Sequence, residues 1–109
     1  FQAASRERQI TVRLPRADAP PGRSLRDDEY VTVTWTLDAL DDFGIQDRIA
    51  RRRRQLLRLL REAQAQNALP RDADLAEALD VSLATVRRDV TALRAAGHVL
   101  PPRRRKRAA

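Results

Sequence analysis

The chain contains no cysteine, which excludes disulfides, thiolate metal sites and a cysteine nucleophile. Its one histidine, His98, rules out an all-histidine metal cluster. Methionine is also absent, so Phe1 reads as a processed or engineered start. Glycine is scarce, with 3 residues, and none builds a glycine-rich phosphate loop. No apolar run approaches the ~18–20 residues of a membrane span. The opening Phe1-Gln2-Ala3-Ala4 lacks the charged-then-apolar order of a secretory signal. These absences predict a soluble cytoplasmic protein with no membrane partner, no cofactor, no metal and no small-molecule ligand. An enzyme is the least expected class.

What is present is arginine. Of 109 residues, 22 are Lys or Arg against 15 Asp or Glu, a formal net charge of +7, and all the cations but Lys106 are arginines. The surplus lies in one half: residues 1–45 carry 6 basic and 8 acidic groups, residues 46–109 carry 16 and 7. Such segregation points to a polyanionic partner for the second half. The guanidinium fork suits phosphates and guanine edges better than an ammonium does.

Residues 8–14 alternate, with Ile10, Val12 and Leu14 opposite Gln9, Thr11 and Arg13. Residues 30–37 do the same, with Val31, Val33, Trp35 and Leu37 on one side. Period-two alternation in β-branched and aromatic residues predicts two antiparallel strands, joined by a long loop through Pro20-Pro21-Gly22. Two strands are not stable alone, so the rest of the chain or a second copy must cover their apolar face. The net acidic strand segment is the candidate homodimer contact.

Asp38, Asp41, Asp42 and Asp47 crowd the next junction, as expected of groups that cap a helix and complement its dipole. A helix is predicted from about Asp47 to Gln66, with Ile49, Leu56, Leu57, Leu59, Leu60 and Ala63 inward and Asn67 and Pro70 closing it. A short helix follows over about Arg71 to Leu79, with Leu75, Ala76 and Leu79 inward. After a turn at Asp80-Val81, Ser82 caps a third helix over about Leu83 to Ala96, and Gly97 ends it. His98 to Leu100 are expected to form a short strand stopped by Pro101 and Pro102, before a basic tail from Arg103 to Arg107.

The last two helices make a helix-turn-helix arrangement. On the third, Val86, Val90 and Leu93 face inward. Ala84, Thr85, Arg88 and Thr91 face outward, with Arg87 and Arg94 on a flank. An outward face with arginines, small hydroxyls and no bulky apolar residue can enter a major groove, and Ser82 at its start can hold a phosphate. Asp89 falls beside the core, where pairing with an arginine of the first helix is the better expectation.

The run Leu75-Ala76-x-x-Leu79-x-Val81-Ser82-x-x-Thr85-Val86-Arg87-Arg88-Asp89-Val90-x-x-Leu93-x-x-x-Gly97 resembles the DeoR-type winged helix-turn-helix of bacterial transcription regulators. With the first helix the likeness covers roughly residues 51–100. It implies a recognition helix beginning at Ser82 that binds duplex DNA in the major groove. Where that family turns a wing hairpin after Gly97, this chain has two prolines and an arginine run, so its wing is degenerate. The preceding strand pair and the absence of a following sugar-phosphate-sensing domain also depart from the family. The order of strand pair, arginine-rich helix and helix-turn-helix resembles, in addition, a family of uncharacterised prokaryotic proteins.

The expected fold is therefore α+β: a three-helix winged-helix-like unit (residues 41–102) after an antiparallel strand pair (1–40) and before a basic tail (103–109). The expected function is sequence-specific binding of double-stranded DNA by a nucleoid-associated transcriptional regulator acting as a homodimer. The expected DNA-binding residues are Ser82, Ala84, Thr85, Arg87, Arg88 and Thr91, with Arg52, Arg103, Arg104 and Arg105 on phosphates. Arg51 to Arg54 read either as a solvated helix face or as phosphate contacts, at most two of them facing one backbone. Six to eight engaged arginines would give a log K against log salt slope of roughly −5 to −7. Two alternatives stand beside this reading: a DNA-binding accessory without regulation (architectural, replicative or of a mobile element), and a winged-helix module that docks on an acidic protein surface.

Overall fold

A computed structural model describes residues 7–20 and 23–104 of the chain. Strand β1 (Arg8–Pro15) pairs antiparallel with β2 (Tyr30–Asp38). The register sets Ile10 against Trp35, Val12 against Val33 and Leu14 against Val31. Because side chains alternate along a strand, these residues share one face, and Thr11, Arg13, Thr32 and Thr34 share the other.

Three helices follow: α1 (Arg48–Ala65), α2 (Asp72–Leu79) and α3 (Leu83–Ala95). The architecture is the α+β arrangement expected, a two-stranded sheet and three helices. Asp47 caps α1 by accepting the N–H groups of Ile49 and Ala50. Leu56, Leu57, Leu59, Leu60 and Ala63 form its buried stripe and meet Leu14, Val33, Trp35 and Leu37 of the strands in one core, with Leu75, Val86, Val90 and Leu93 of α2 and α3 on its other side. Trp35 is fully buried, and its indole N–H donates to the Leu59 carbonyl at 2.9 Å.

This packing bears on two expectations. The chain's own α1 buries Leu14, Val33, Trp35 and Leu37 of the strand face, while Ile10, Val12 and Val31, the part left for the expected dimer contact, stay half-buried. The boundary placed at residue 40 has no counterpart in the core, which runs across it. A third finding concerns the open edge of β2. Gln66 exchanges hydrogen bonds with the backbone of Thr34. Glu62 accepts from the Thr36 N–H, Arg58 donates to the Thr36 and Leu37 carbonyls, and Gln55 donates to the Leu37 carbonyl. Residues three and four apart share a helix face, so one polar stripe of α1 pairs with the strand edge that another chain would otherwise join.

Asp47 caps α1, Asp42 accepts the Ala39 N–H at the start of the short turn before it, and the other two acids of that junction pair with arginines. Asp38 pairs with Arg8, Asp41 with Arg54, and Asp42 is buried in the short 3-10 turn Leu40–Gly44. Ile49, expected inward, is 47% exposed; it sits in the first turn of α1, before the helix meets the sheet.

All three helices end alike. Asn67, Asp80 and Gly97 have φ of 61°, 57° and 97°. The next N–H in each case reaches back five residues, Ala68 to Ala63, Val81 to Ala76 and His98 to Leu93, as in a Schellman ending. After α3 the chain returns without the short strand expected at residues 98–100. Val99 is exposed, Pro101 is buried, and Leu100 packs against the core. The Arg104 N–H then donates to the Pro70 carbonyl at 2.7 Å, making a single parallel bridge between Arg71 and Arg104. No hairpin forms among the described residues after α3.

Candidate nucleic-acid interface

Helix α3 is held by burial of Val86, Asp89, Val90 and Leu93. At 3.6 residues per turn this leaves Ala84, Arg88, Thr91 and Ala95 as the outward stripe, all exposed. Arg87 and Arg94 lie about a quarter turn round on one flank and are exposed as well. Ser82 accepts the Thr85 N–H at 3.1 Å and lies 3.0 Å from the Thr85 hydroxyl. Its oxygen therefore serves the helix start while the residue stays exposed. Thr85 is half-buried. The Thr91 hydroxyl donates to the Arg87 carbonyl at 3.0 Å, which fixes its rotamer. The structure thus brings Ser82, Ala84, Arg87, Arg88 and Thr91 to one accessible side, with Thr85 at its margin.

The cations of α1 are placed otherwise. Arg52 was expected on phosphate, but its fork donates to both oxygens of Asp89 at 2.5 and 2.9 Å, and Arg53 donates to the same carboxylate at 3.0 Å. The Asp89 side chain is 1% exposed. Burial by itself would raise this carboxyl, but the hydrogen bonds of Arg52 and Arg53 outweigh it and hold the group below its ordinary value. Arg52 is raised in turn by the Asp89 hydrogen bond. A guanidinium whose fork is closed on a buried carboxylate is not available to DNA, so Arg52 leaves the candidate site. Asp89 does what its angle on the helix predicted.

The rest of the run is committed too. Arg51 donates to the Ile45 carbonyl. Arg54 reaches Asp41 at 3.5 Å and Asp42 at 3.3 Å. Arg58 closes on Asp42 at 2.6 and 2.9 Å. Asp42 is also pushed up by burial and pulled down further by Arg58, the Ala39 N–H and Arg54, with a net lowering. Each arginine of the run thus has a partner within the chain, and Arg54 keeps about half of its side chain exposed.

The start of the basic tail is docked. Arg103, expected free, has 16% of its side chain exposed and donates to Asp72 at 2.6 Å. Arg104 donates to the Pro20 carbonyl at 2.7 Å. Arg105, the third tail residue expected on phosphate, lies outside the described residues. Arg87 also meets Asp72, at 3.4 Å. Asp72 is a residue that sequence reasoning missed: it stands 15 residues from Arg87 and 31 from Arg103, and no local spacing announces the meeting. Around it Arg87, Thr91, Arg94, Arg103 and Arg104 line a shallow cleft of about 410 Å³ between α3 and the return segment.

Among the described residues no group of His, Asp and Glu could hold a metal ion, and no helix is long and apolar enough to cross a membrane. No curated protein and no solved structure matches the chain. A family model does: residues 1–107 match DUF1670, described as a protein of unknown function, and the chain belongs to that family.

Proposed function

We propose that this DUF1670 protein binds double-stranded DNA with some sequence preference, α3 entering the major groove as its recognition helix. One observation carries the reading. The outward stripe Ala84-Arg88-Thr91-Ala95 is exposed, and among the described residues Arg88 has no carboxylate partner, whereas Arg52, Arg53, Arg54 and Arg58 of α1 all have one. Internal pairing thus spends the charge of four of the seven α1 arginines, Arg48, Arg51 and Arg61 being the others, and leaves Arg88 of α3 for a partner. A bidentate arginine on guanine and a threonine beside it are an ordinary means of reading base edges. The likeness of residues 75–97 to DeoR-type regulators supports the same assignment and extends it to transcriptional control on the nucleoid. The strand pair contributes to the core that holds α3 in place in this reading.

The test is selection of bound duplexes from a random pool, followed by the Arg88→Ala variant on the selected sequence. An enriched motif is expected, and the variant should lose about 1–3 kcal/mol on that motif with little loss on unrelated duplex. Absence of duplex binding at low salt would remove the reading and favour a module that docks on an acidic protein surface. Unchanged preference in Arg88→Ala would remove α3 as the reading element.

A further inference from the structure

We infer that the cleft between α3 and the return segment grips the sugar-phosphate backbone of the DNA strand bordering the groove that α3 enters. The inference rests on the duplex-binding reading and assigns a second, sequence-blind part to the same interface.

Four guanidinium-bearing residues line the cleft, Arg87, Arg94, Arg103 and Arg104, and one carboxylate, that of Asp72. Asp72 engages Arg103 at 2.6 Å and Arg87 at 3.4 Å. Arg94 and Arg104 have no carboxylate partner among the described residues. Four cations around one anion repel one another unless a further anion enters, and a phosphodiester supplies it, with two oxygens for a guanidinium fork. The space, about 410 Å³, exceeds what one small ion fills and lies open along the helix.

Position favours a strand over a free anion. The cleft occupies the flank of α3 that carries Arg87 and Arg94, a quarter turn from the outward stripe. A helix lying in a major groove has a phosphate rail on each side. On the opposite flank stand Thr85 and Ala92, with Asp89 already closed by Arg52 and Arg53. The cleft flank thus presents four guanidiniums against one carboxylate and the other flank two against one, so the stronger hold on one rail orients α3 in the groove. Arg104 is carried to the cleft by its backbone bond to Pro70 and its side-chain bond to Pro20, so the return segment presents its charge from a fixed place without a hairpin. Asp72 opposes the incoming phosphate and holds Arg87 and Arg103 in its absence.

The experiment measures duplex affinity of the full chain as a function of salt for the parent, Arg94→Gln/Arg104→Gln and Asp72→Asn, with melting curves confirming that each is folded. With Arg87, Arg94, Arg103 and Arg104 on phosphates, the parent slope should be about −3.6. Loss of two phosphate contacts should make the slope shallower by about 1.8 and weaken binding about 60-fold at 0.1 M salt, equally on selected and unrelated duplexes. Asp72→Asn should bind more tightly, with a steeper slope. Parent binding with no change in Arg94→Gln/Arg104→Gln overturns the cleft and leaves α3's reading intact; absence of parent binding removes the reading itself. A double variant that alters sequence preference rather than uniform affinity makes the cleft a base reader and overturns the inference. So does inorganic pyrophosphate that shifts the melting of the parent but not of the double variant while duplex binding of the two stays equal, since the cleft would then serve a small phosphate ligand.

Discussion

A carboxylate taken out of water needs partners that keep their charge. Asp89 has two, Arg52 and Arg53, and both arginines retain partial access to solvent. Replacing it with asparagine leaves two guanidinium groups facing a neutral amide, and removing one partner of a buried pair is costly. Asp89→Asn should destabilise the fold by about 3 kcal/mol, the low end of the range for buried pairs because the arginines can turn to water; urea unfolding monitored by far-UV circular dichroism measures it. The sign of the pH dependence follows from the direction of the shifts. Asp89 and Asp42 titrate lower in the folded chain than in the unfolded one, where a carboxyl has a pKa of about 3.9. In acid the unfolded state binds more protons, so the stabilisation from these pairs is complete above about pH 5 and drains as pH falls through their folded values. Asp89→Asn should accordingly lose less stability than the parent between pH 7 and pH 3. An equal loss in both proteins would remove Asp89 from the acid response. The pairing was legible from the angle of Asp89 on an amphipathic helix; which arginines it takes was not, because they lie 36 and 37 residues away.

Helix endings are where sequence and structure agree most closely, because they depend on one residue's backbone freedom and a few local hydrogen bonds. Gly97 sits at φ 97° with open space around its α-carbon. An alanine there meets no neighbour yet must hold a left-handed backbone, so Gly97→Ala should cost about 1–2 kcal/mol. At the other end of α3, Ser82→Ala removes the acceptor for the Thr85 N–H and should cost about 1 kcal/mol. Thermal melts of both variants check these values. A cost near zero for Gly97→Ala would show that the return segment moves to another ending. The same locality explains the expected strand at residues 98–100 that does not form. That expectation rested on three residues, but with prolines at 101 and 102 no partner strand folds back, and a lone extended segment has nothing to pair with until Arg104 meets Arg71.

At the scale of the whole molecule, the strand pair and the helices share a single core. Trp35 lies among leucines of α1, and Leu75, Val86 and Val90 close the far side. Folding should therefore be one cooperative event: Trp35 fluorescence and far-UV helicity should report coincident unfolding. A fragment of residues 41–109 should fail to reach a fixed tertiary structure, since Leu56, Leu59 and Leu60, fully buried in the intact chain, would lose the sheet that covers them. A fragment with dispersed amide resonances would refute this and restore the boundary at residue 40. Charge is likewise settled globally. The surplus in the second half of the sequence exists, yet in its densest run Arg52, Arg53 and Arg54 pair with Asp89, Asp41 and Asp42, while Arg88, Arg94 and Arg104, without a carboxylate partner among the described residues, stand on α3 and the cleft beside it.

Alternation and helical spacing by themselves determined the two strands, the three helices, their inward residues with the exception of Ile49, and the endings at Asn67 and Gly97, because each depends on residues a few positions apart. The outward stripe of α3 was determined in the same way, as the complement of its buried one. Only tertiary structure decided what covers the strands and which arginines remain free. It decided as well that Asp72 gathers Arg87 and Arg103 at one place. Those outcomes depend on which groups meet across tens of residues, and an ion pair formed at such a distance leaves no periodic trace in the chain.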